Sequence, residues 1–279
     1  MMRRWGTLLT LTLALTSAHA QTAVQLSRSD GRTVQAQAYA PAGPCRGVAL
    51  ISHGAGGSDT GYAYLAQALA QWGFLAVVPA HADSGMKALR EKVHGLKVRE
   101  GLADLVADAD AYRSRFADLD AARAWARPRC ASPTTVLLGH SMGAATTLLE
   151  AGADNKLGLR GRDGFDAYVA LSPQGEGSIF TADAWKGIRK PVLLLTGTRD
   201  EELGGKGWQS RTEAFAVLPG PCQWLGVIDG ATHMHFAGHG ASRATEALTL
   251  RTVQAFLTPT PTGCPAPPAA VRGITLQTK

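Results

Sequence analysis

The chain has 279 residues, of which 45% are hydrophobic and 18% are charged, a composition that suits a globular core and excludes a disordered chain or a coiled coil. Lys and Arg exceed Asp and Glu by six, and the sequence pI of about 9.3 makes nucleic acid a candidate partner. The basic residues are dispersed rather than clustered beside aromatic side chains, so we predict no nucleic-acid binding.

The first 20 residues are typical of a secretory signal peptide. Arg3 and Arg4 form a basic start, an apolar run follows at residues 8–15, and Ala18-His19-Ala20 is a small-x-small cleavage site. The run is too short to anchor the chain permanently in a bilayer. We therefore predict a bacterial periplasmic or secreted protein, without a stable membrane anchor, whose mature chain spans residues 21–279. Loss of the two arginines leaves 26 basic and 22 acidic residues, a net charge of +4.

Short apolar segments alternate with longer helical patterns along the mature chain, which predicts a mainly parallel sheet flanked by helices in one domain. Strands are expected at residues 24–27, 33–39, 48–52, 74–78, 134–138, 168–171, 192–196 and 223–228. Helices are expected at residues 62–72, after Gly143 to about 153, and at 241–257. Residues 84–127 are helical and charged, with interruptions at Gly95 and Gly101, and form either part of a lid or two packed helices. A Pro-rich tail from about 258 to 270 is expected to be irregular.

A nucleophile motif follows the strand at 134–138. Gly139-His140-Ser141-Met142-Gly143 has the Gly-x-Ser-x-Gly spacing of a strand–turn–helix elbow. The turn strains the serine backbone, and glycines two residues before and after it remove clashes with the strand and helix. The sequence therefore predicts Ser141 as a nucleophile held at a helix N-terminus, where negative charge is stabilised.

A glycine-rich loop after the strand at 48–52 is a candidate oxyanion hole. The loop reads His53-Gly54-Ala55-Gly56-Gly57, and such loops supply a backbone N–H group to a tetrahedral intermediate. We predict Ala55 as that donor, with Gly56 as the second choice. The other donor is expected from Met142, the residue after the nucleophile. His53 is predicted to make structural hydrogen bonds in its loop.

The acid of a triad is expected after the nucleophile along the chain. Asp200 follows the buried strand at 192–196 and is our choice, because a loop just past a strand end suits a fixed orienting carboxylate. Glu201 and Glu202 are adjacent rivals, and Glu176 is a remoter one.

The base is expected after the strand at 223–228. His233 is the first histidine of that loop and is preferred over His235 and His239. The three histidines within seven residues could also ligate zinc, but no carboxylate or cysteine joins the pattern, so we predict no metal site. The sequence predicts a Ser141, His233, Asp200 triad that needs no cofactor.

These motifs resemble those of the α/β-hydrolase fold, and more narrowly the dienelactone-hydrolase-like group of bacterial serine esterases related to platelet-activating-factor acetylhydrolases and secreted polyester hydrolases. The resemblance covers nearly all of the mature chain. It rests on the segments at residues 52–57, 62–66, 74–79, 139–143, 171–175 and 230–233. It implies an α/β-hydrolase fold, the same triad, and backbone donors at Ala55 and Met142.

Two departures from the group bear on the substrate. Dienelactone hydrolases use a cysteine nucleophile where this chain has Ser141, and polyester hydrolases often carry Trp where it has His140. We assign His140 no role. The resemblance therefore implies a hydrolase of small or lipid-like carboxylic esters. We expect it to be a monomer. A thioesterase, an amidase or a polyester hydrolase would use the same triad, and an idle binding or scaffold protein on a hydrolase fold is the alternative of another class.

Four cysteines suffice for two disulfides in an oxidising compartment. In an α/β-hydrolase sheet, the strands that follow Cys45 and Cys130 are parallel neighbours, so both cysteines are expected at one sheet end. Cys222 opens the last predicted strand, and Cys264 lies in the tail after a helix that returns to that end. We therefore predict Cys45–Cys130 and Cys222–Cys264 pairs. Phe180 and Trp185 are candidates for a substrate pocket, with core packing as the alternative.

Overall fold

The computed structural model describes residues 21–93, 97–258, 260 and 263–279. The predicted signal peptide and the expected interruption at Gly95 lie outside these residues. Within the described ranges, no helix has the length and apolar character needed to cross a membrane.

The described residues form one mixed sheet in which a parallel centre is bordered by antiparallel strands. The strands are β1 Gln21–Ser27, β2 Thr33–Tyr39, β3 Gly47–Ser52, β4 Phe74–Pro79, β5 Thr135–His140, β6 Ala167–Leu171, β7 Val192–Arg199, β8 Gln223–Thr232 and β9 Ile274–Thr278. Their spatial order is β1-β2-β4-β3-β5-β6-β7-β8-β9. Three pairs are antiparallel, β1 with β2, β2 with β4 and β8 with β9, and all other neighbours are parallel.

Helices cover both faces of the sheet and explain why the central strands are apolar throughout. On one face α4 and α5 pack over Val48 and Leu50 of β3. On the other face α1 and α7 pack over Ala49 and Ile51. The helices are α1 Ala63–Gln71, α2 Met86–Lys92, α3 Val98–Val106, α4 Ala109–Ala126, α5 Met142–Glu150, α6 Glu213–Val217 and α7 Arg243–Phe256. The predicted sheet flanked by helices is confirmed.

The region at 84–127 consists of α2, α3 and α4 rather than one or two long helices. Gly101 lies inside α3 and does not interrupt it. A Cβ at this position would lie 2.6 Å from the carbonyl oxygen of Lys92 in α2, so the glycine allows α3 to pack closely against the end of α2. The expected interruption at Gly101 is therefore wrong, because the residue serves a helix–helix contact.

The tail after α7 returns to the sheet as β9, a strand that the sequence did not predict. Ile274 pairs with Ile228, and Thr278 pairs with Trp224 at the other end of the ladder. The side chain of Lys279 then donates to the carbonyl of Phe215 within α6. The tail closes the sheet at the β8 edge.

Both predicted cysteine pairs are bonded in the structure. Cys45 pairs with Cys130 across a Cα separation of 5.5 Å, and Cys222 pairs with Cys264 across 5.0 Å. The first pair lies where β3 and β5 begin, and the second joins the start of β8 to the tail before β9. Both disulfides therefore lie at the opposite end of the parallel strands from the elbow at Ser141.

Candidate functional site

Ser141 lies on a sharp turn between β5 and α5. Its φ is 55° and its ψ is −118°, a conformation that non-glycine residues rarely adopt. A Cβ on Gly139 would lie 2.0 Å from the carbonyl oxygen of Gly143, and a Cβ on Gly143 would lie 1.9 Å from that of Ser52. Only glycine fits at either position, as the Gly-x-Ser-x-Gly spacing predicts. The Ser141 N–H donates to Leu171 at the end of β6, which fixes the turn to the sheet.

His233 and Asp200 are paired at the ends of two adjacent strands. Nδ1 of His233 lies 3.0 Å from Oδ1 of Asp200, and His233 follows β8 directly as Asp200 follows β7. The carboxylate is fully buried and also accepts a hydrogen bond from Thr196, whereas the His233 side chain is 30% exposed. The proton on Nδ1 points to Asp200, so Nε2 of His233 remains available. We refer to Ser141, His233 and Asp200 as the elbow cluster.

His140 joins the nucleophile turn to the loop of His233. Its Nε2 donates to the carbonyl oxygen of His233 at 3.0 Å, and its Nδ1 accepts from the Tyr62 hydroxyl at 2.8 Å. The Tyr62 oxygen in turn accepts the N–H of Gly54 in the glycine-rich loop. Burial lowers the pKa of His140 well below its ordinary value, and the imidazole is neutral. Among the described residues the Ser141 hydroxyl makes no hydrogen bond, so His140 is the link between Ser141 and His233.

The rival acids and bases make other contacts. Glu202 accepts the backbone N–H of Gly175, and the N–H of Glu176 donates to Glu213. His235 accepts the N–H of Thr232, capping the short 3-10 helix at His233–Ala237. No group of three potential metal ligands occurs among the described residues. The structure therefore brings Asp200, and not its acidic neighbours, to His233.

Arg211 is a member of the site for which the sequence contains no signal. Its side chain is 3% exposed, and Nε lies 2.7 Å from Oδ1 of Asp200. Burial alone would raise the pKa of the Asp200 carboxyl, but the His233 hydrogen bond and the Arg211 charge hold the pKa below its ordinary value. Asp200 is therefore ionised throughout the neutral pH range.

The hydrogen bonds of the glycine-rich loop distinguish between Ala55 and Gly56, the two candidates for the oxyanion donor from this loop. The N–H of Gly56 is already bonded to the carbonyl oxygen of Ser84 at 2.9 Å. The N–H of Ala55 has no backbone acceptor among the described residues, and Met142 begins α5, where N–H groups lack intrahelical partners. The loop geometry favours Ala55 over Gly56. His53 donates from Nε2 to the carbonyl of Ala80, a structural role as predicted.

A second arrangement of serine, histidine and aspartate lies beneath the glycine-rich loop, and the sequence analysis missed it. The Ser52 hydroxyl lies 3.0 Å from Nε2 of His81, and Nδ1 of His81 lies 2.9 Å from Oδ2 of Asp118. All three side chains are at most 1% exposed. Arg115 donates to the Ser52 hydroxyl and to the carbonyl of His53. We refer to Ser52, His81 and Asp118 as the buried cluster.

Phe180 and Trp185 lie in the hydrophobic core. Both are 0% exposed, and their ring centroids are 5.3 Å apart. They lie in the same core as Val48 and Leu50, an arrangement that corresponds to core packing, the alternative considered for them. With no exposed surface, neither side chain is placed to line an open pocket.

Similar folds occur in solved structures, although no family model and no curated protein matches the chain. A dienelactone hydrolase from Anabaena variabilis is 22% identical over 84% of this chain and 96% of its own, with a TM-score of 0.59. An α/β serine hydrolase without a lid from Xanthomonas campestris is 18% identical over 86% and 97%, with a TM-score of 0.59. An esterase from Pyrococcus furiosus is 15% identical over 92% and 96%, with a TM-score of 0.59. The chain has the α/β-hydrolase fold.

Nucleophile, acid and base follow one another along the chain in a fixed order in α/β-hydrolases that use a triad. The elbow cluster has that order, because Ser141 follows β5, Asp200 follows β7 and His233 follows β8. The buried cluster does not have it, since His81 precedes Asp118 in the chain. The chain order of the elbow cluster, and not that of the buried cluster, is therefore the order of a triad on this fold.

Proposed function

We propose that the protein is a serine hydrolase that cleaves small or lipid-like carboxylic esters through an acyl-enzyme intermediate. One observation carries the proposal: a serine with positive φ at the start of α5 follows His140, whose ring lies 4.6 Å from that of a histidine paired with a buried, ionised aspartate. Strained serines of this kind expose their hydroxyl above the sheet edge. The proposal needs no cofactor.

The proposed mechanism assigns a role to each member of the elbow cluster. Nε2 of His233 takes the proton of the Ser141 hydroxyl as the oxygen attacks the acyl carbon. Asp200 holds the imidazole with its proton on Nδ1 and stabilises the imidazolium that forms. The alcohol leaves with the proton from Nε2, and water, deprotonated by the same nitrogen, then hydrolyses the acyl-enzyme.

Negative charge on the tetrahedral intermediate requires donors that are free before the reaction. The N–H groups of Ala55 and Met142 are our candidates, since the N–H of Gly56 is bonded to Ser84. The N-terminus of α5 adds a favourable dipole at the same position. We also propose export to the periplasm or beyond the cell, supported by the predicted signal peptide and by two disulfides, which persist in oxidising compartments.

Covalent labelling tests the proposal directly. A fluorophosphonate probe should add one label per chain, and peptide mapping should locate it on Ser141. Ser141→Ala should abolish labelling and lower ester hydrolysis by at least about 10³-fold while the fold is retained. Ser52→Ala is the matched control, because Ser52 has the same type of partners but is buried, and it should keep labelling. Labelling of Ser141→Ala at the wild-type rate would refute the proposal.

The substrate class is tested by a panel rather than by a single ester. Esters of p-nitrophenol with rising acyl length, a thioester, an anilide and a polyester film separate an esterase from a thioesterase, an amidase and a polyester hydrolase. We expect turnover of the oxygen esters. A protein that binds these compounds without labelling or turnover would instead be an idle binding protein on a hydrolase fold.

A further inference from the structure

Arg211 is buried inside the site, and its guanidinium joins two loops. Its Nη1 donates to the carbonyl oxygens of Ser172 at 3.1 Å and Pro173 at 3.0 Å. Its Nε donates to the Asp200 carbonyl at 2.9 Å, and Nη2 donates to that of Glu201. These carbonyls belong to the loops after β6 and β7, so one side chain fixes both loops relative to each other.

The same guanidinium contacts both partners of the hydrogen bond that orients the base. Nε lies 2.7 Å from Oδ1 of Asp200, and Nη2 lies 3.2 Å from Nδ1 of His233. Because Nδ1 carries the proton that points to Asp200, it cannot also accept from Arg211. The contact therefore brings a cation against the edge of the imidazole, where it stabilises the aspartate anion and opposes a positive charge on the ring.

Arg211 is also connected to the turn of the nucleophile. Ser172 has a φ of 52°, a strained conformation for a serine, and its carbonyl is held by Arg211. The preceding residue, Leu171, accepts the N–H of Ser141. A guanidinium with fixed, planar donors suits this position better than an ammonium group, which cannot contact several carbonyls in one plane.

The other charged and titratable groups near this contact are few. Asp200 and Glu202 are the acidic side chains whose charge acts on Arg211. His140 faces His233 from β5, with ring centroids 4.6 Å apart, and is neutral. Arg211 is the cation in direct contact with Asp200 and His233 among the described residues.

We propose that Arg211 is a positioning residue of the hydrolase: its guanidinium fixes Asp200 against His233 and holds the loops after β6 and β7 together. The inference rests on the proposed function. It assigns Arg211 no contact with substrate. Two substitutions separate the planar donors from the charge, because lysine keeps the charge without the planar donors and methionine removes both.

The test is the measurement of kcat and KM for a p-nitrophenyl ester in wild type, Arg211→Lys and Arg211→Met. We expect Arg211→Lys to lower kcat about 10-fold, with KM within about 2-fold, because lysine cannot hold the carbonyls of both loops in one plane. Arg211→Met should lower kcat further, with KM again within about 2-fold, because it removes the donors and the charge that hold Asp200. A wild-type kcat in Arg211→Lys, or a loss in a folded Arg211→Met that falls on KM rather than on kcat, would overturn the proposal.

Arg28→Met is the matched control for loss of a buried arginine. Arg28 is 6% exposed and pairs with Asp118 at 2.8 Å, so it contacts the buried cluster and not the elbow cluster. This variant should lose stability but keep kcat within about 2-fold of wild type. If Arg211→Met does not fold, Arg211→Lys alone still decides the positioning role. Failure of the proposed function is distinguishable, because it would leave the wild type unlabelled by fluorophosphonate.

Discussion

The elbow cluster and the buried cluster contain the same three types of side chain and nearly the same histidine–aspartate pair. The histidine–aspartate distance is 3.0 Å in the elbow cluster and 2.9 Å in the buried cluster. Each aspartate also pairs with a buried arginine, Arg211 or Arg28. The two serines lie at the carboxyl ends of neighbouring strands, β5 and β3. The geometry of the histidine–aspartate pair therefore does not distinguish the two clusters.

What separates the clusters is the state of the serine. Ser52 lies at the end of a regular strand, fully buried, with its oxygen shared between His81 and Arg115. Ser141 has a strained backbone, a partly exposed side chain and a hydroxyl free of hydrogen bonds to the described residues. A nucleophile needs an approach path and free donors beside it as well as a base, and Ser52 has no approach path.

The largest expected difference between the clusters concerns their histidines. His233→Ala should lower kcat by about 10³- to 10⁴-fold with a small change in the free energy of unfolding, because it removes the base from a partly exposed position. His81→Ala should lower kcat less than about 10-fold but cost about 3 kcal/mol of stability, because Asp118 and Ser52 lose a buried partner. Steady-state kinetics and urea unfolding measure the two effects. Loss of activity in a folded His81→Ala equal to that in His233→Ala would remove the distinction.

The aspartates should differ in the sign of their effect on stability against pH. Burial raises the pKa of Asp118 to about 6, despite its pairing with Arg28, whereas the pKa of Asp200 is lowered. A raised carboxyl pKa means that the folded state binds the proton more tightly, so the Asp118 contribution falls as pH rises from about 4 to 6, by on the order of 2 kcal/mol. The Asp200 contribution is present above pH 4 and is lost as pH falls through its lower pKa.

Urea unfolding of Asp118→Asn and Asp200→Asn at several pH values measures these two dependences. The stability of wild type relative to Asp118→Asn should decrease between pH 4 and pH 6. The stability of wild type relative to Asp200→Asn should decrease as the pH falls below about 4. Each variant is the control for the other, and slopes of the same sign would contradict the assignment.

The smallest expected effect concerns the link between the glycine-rich loop and the base. Tyr62→Phe removes the hydroxyl that joins Gly54 to His140 and should lower kcat about 10-fold by loosening the donors around Ser141. Tyr39→Phe is the matched control, because the Tyr39 hydroxyl is buried and has no partner among the described residues. Tyr39→Phe should leave kcat unchanged and stability equal or higher. Equal kinetics of the two variants would show that the link does not matter.

The elbow cluster could be predicted from the sequence because its members follow strands in a fixed order. Ser141 belongs to a spacing that sterics explain, and Asp200 and His233 are each the first suitable residue after a buried strand. The predicted disulfides came from the same topology. The positions of these residues relative to the strands were therefore enough to predict this part of the candidate site.

The rest of the site depends on contacts that no local pattern records. His81 is 29 residues from Ser52 and 37 from Asp118, and Asp118 lies within α4, where a charged residue is ordinarily exposed. Arg211 lies in the short 3-10 helix at Trp208–Thr212, which has no periodicity to identify a buried face. The strand β9 follows a Pro-rich tail. It has five residues, and the alternation of apolar and polar side chains over the first four is too short to predict a strand. Tertiary packing, rather than local propensity, decides these features.

Gly143 is the point at which the backbones of the two clusters meet. The space that its Cβ would fill is occupied by the carbonyl of Ser52, so the turn of Ser141 packs directly against the backbone of the buried cluster. Because no flexible side chain lies between the two backbones, we expect a shift of β3 by a few tenths of an ångström to move the turn of Ser141 as well. Under the proposed function, the rate of ester hydrolysis would therefore report on packing around the buried cluster.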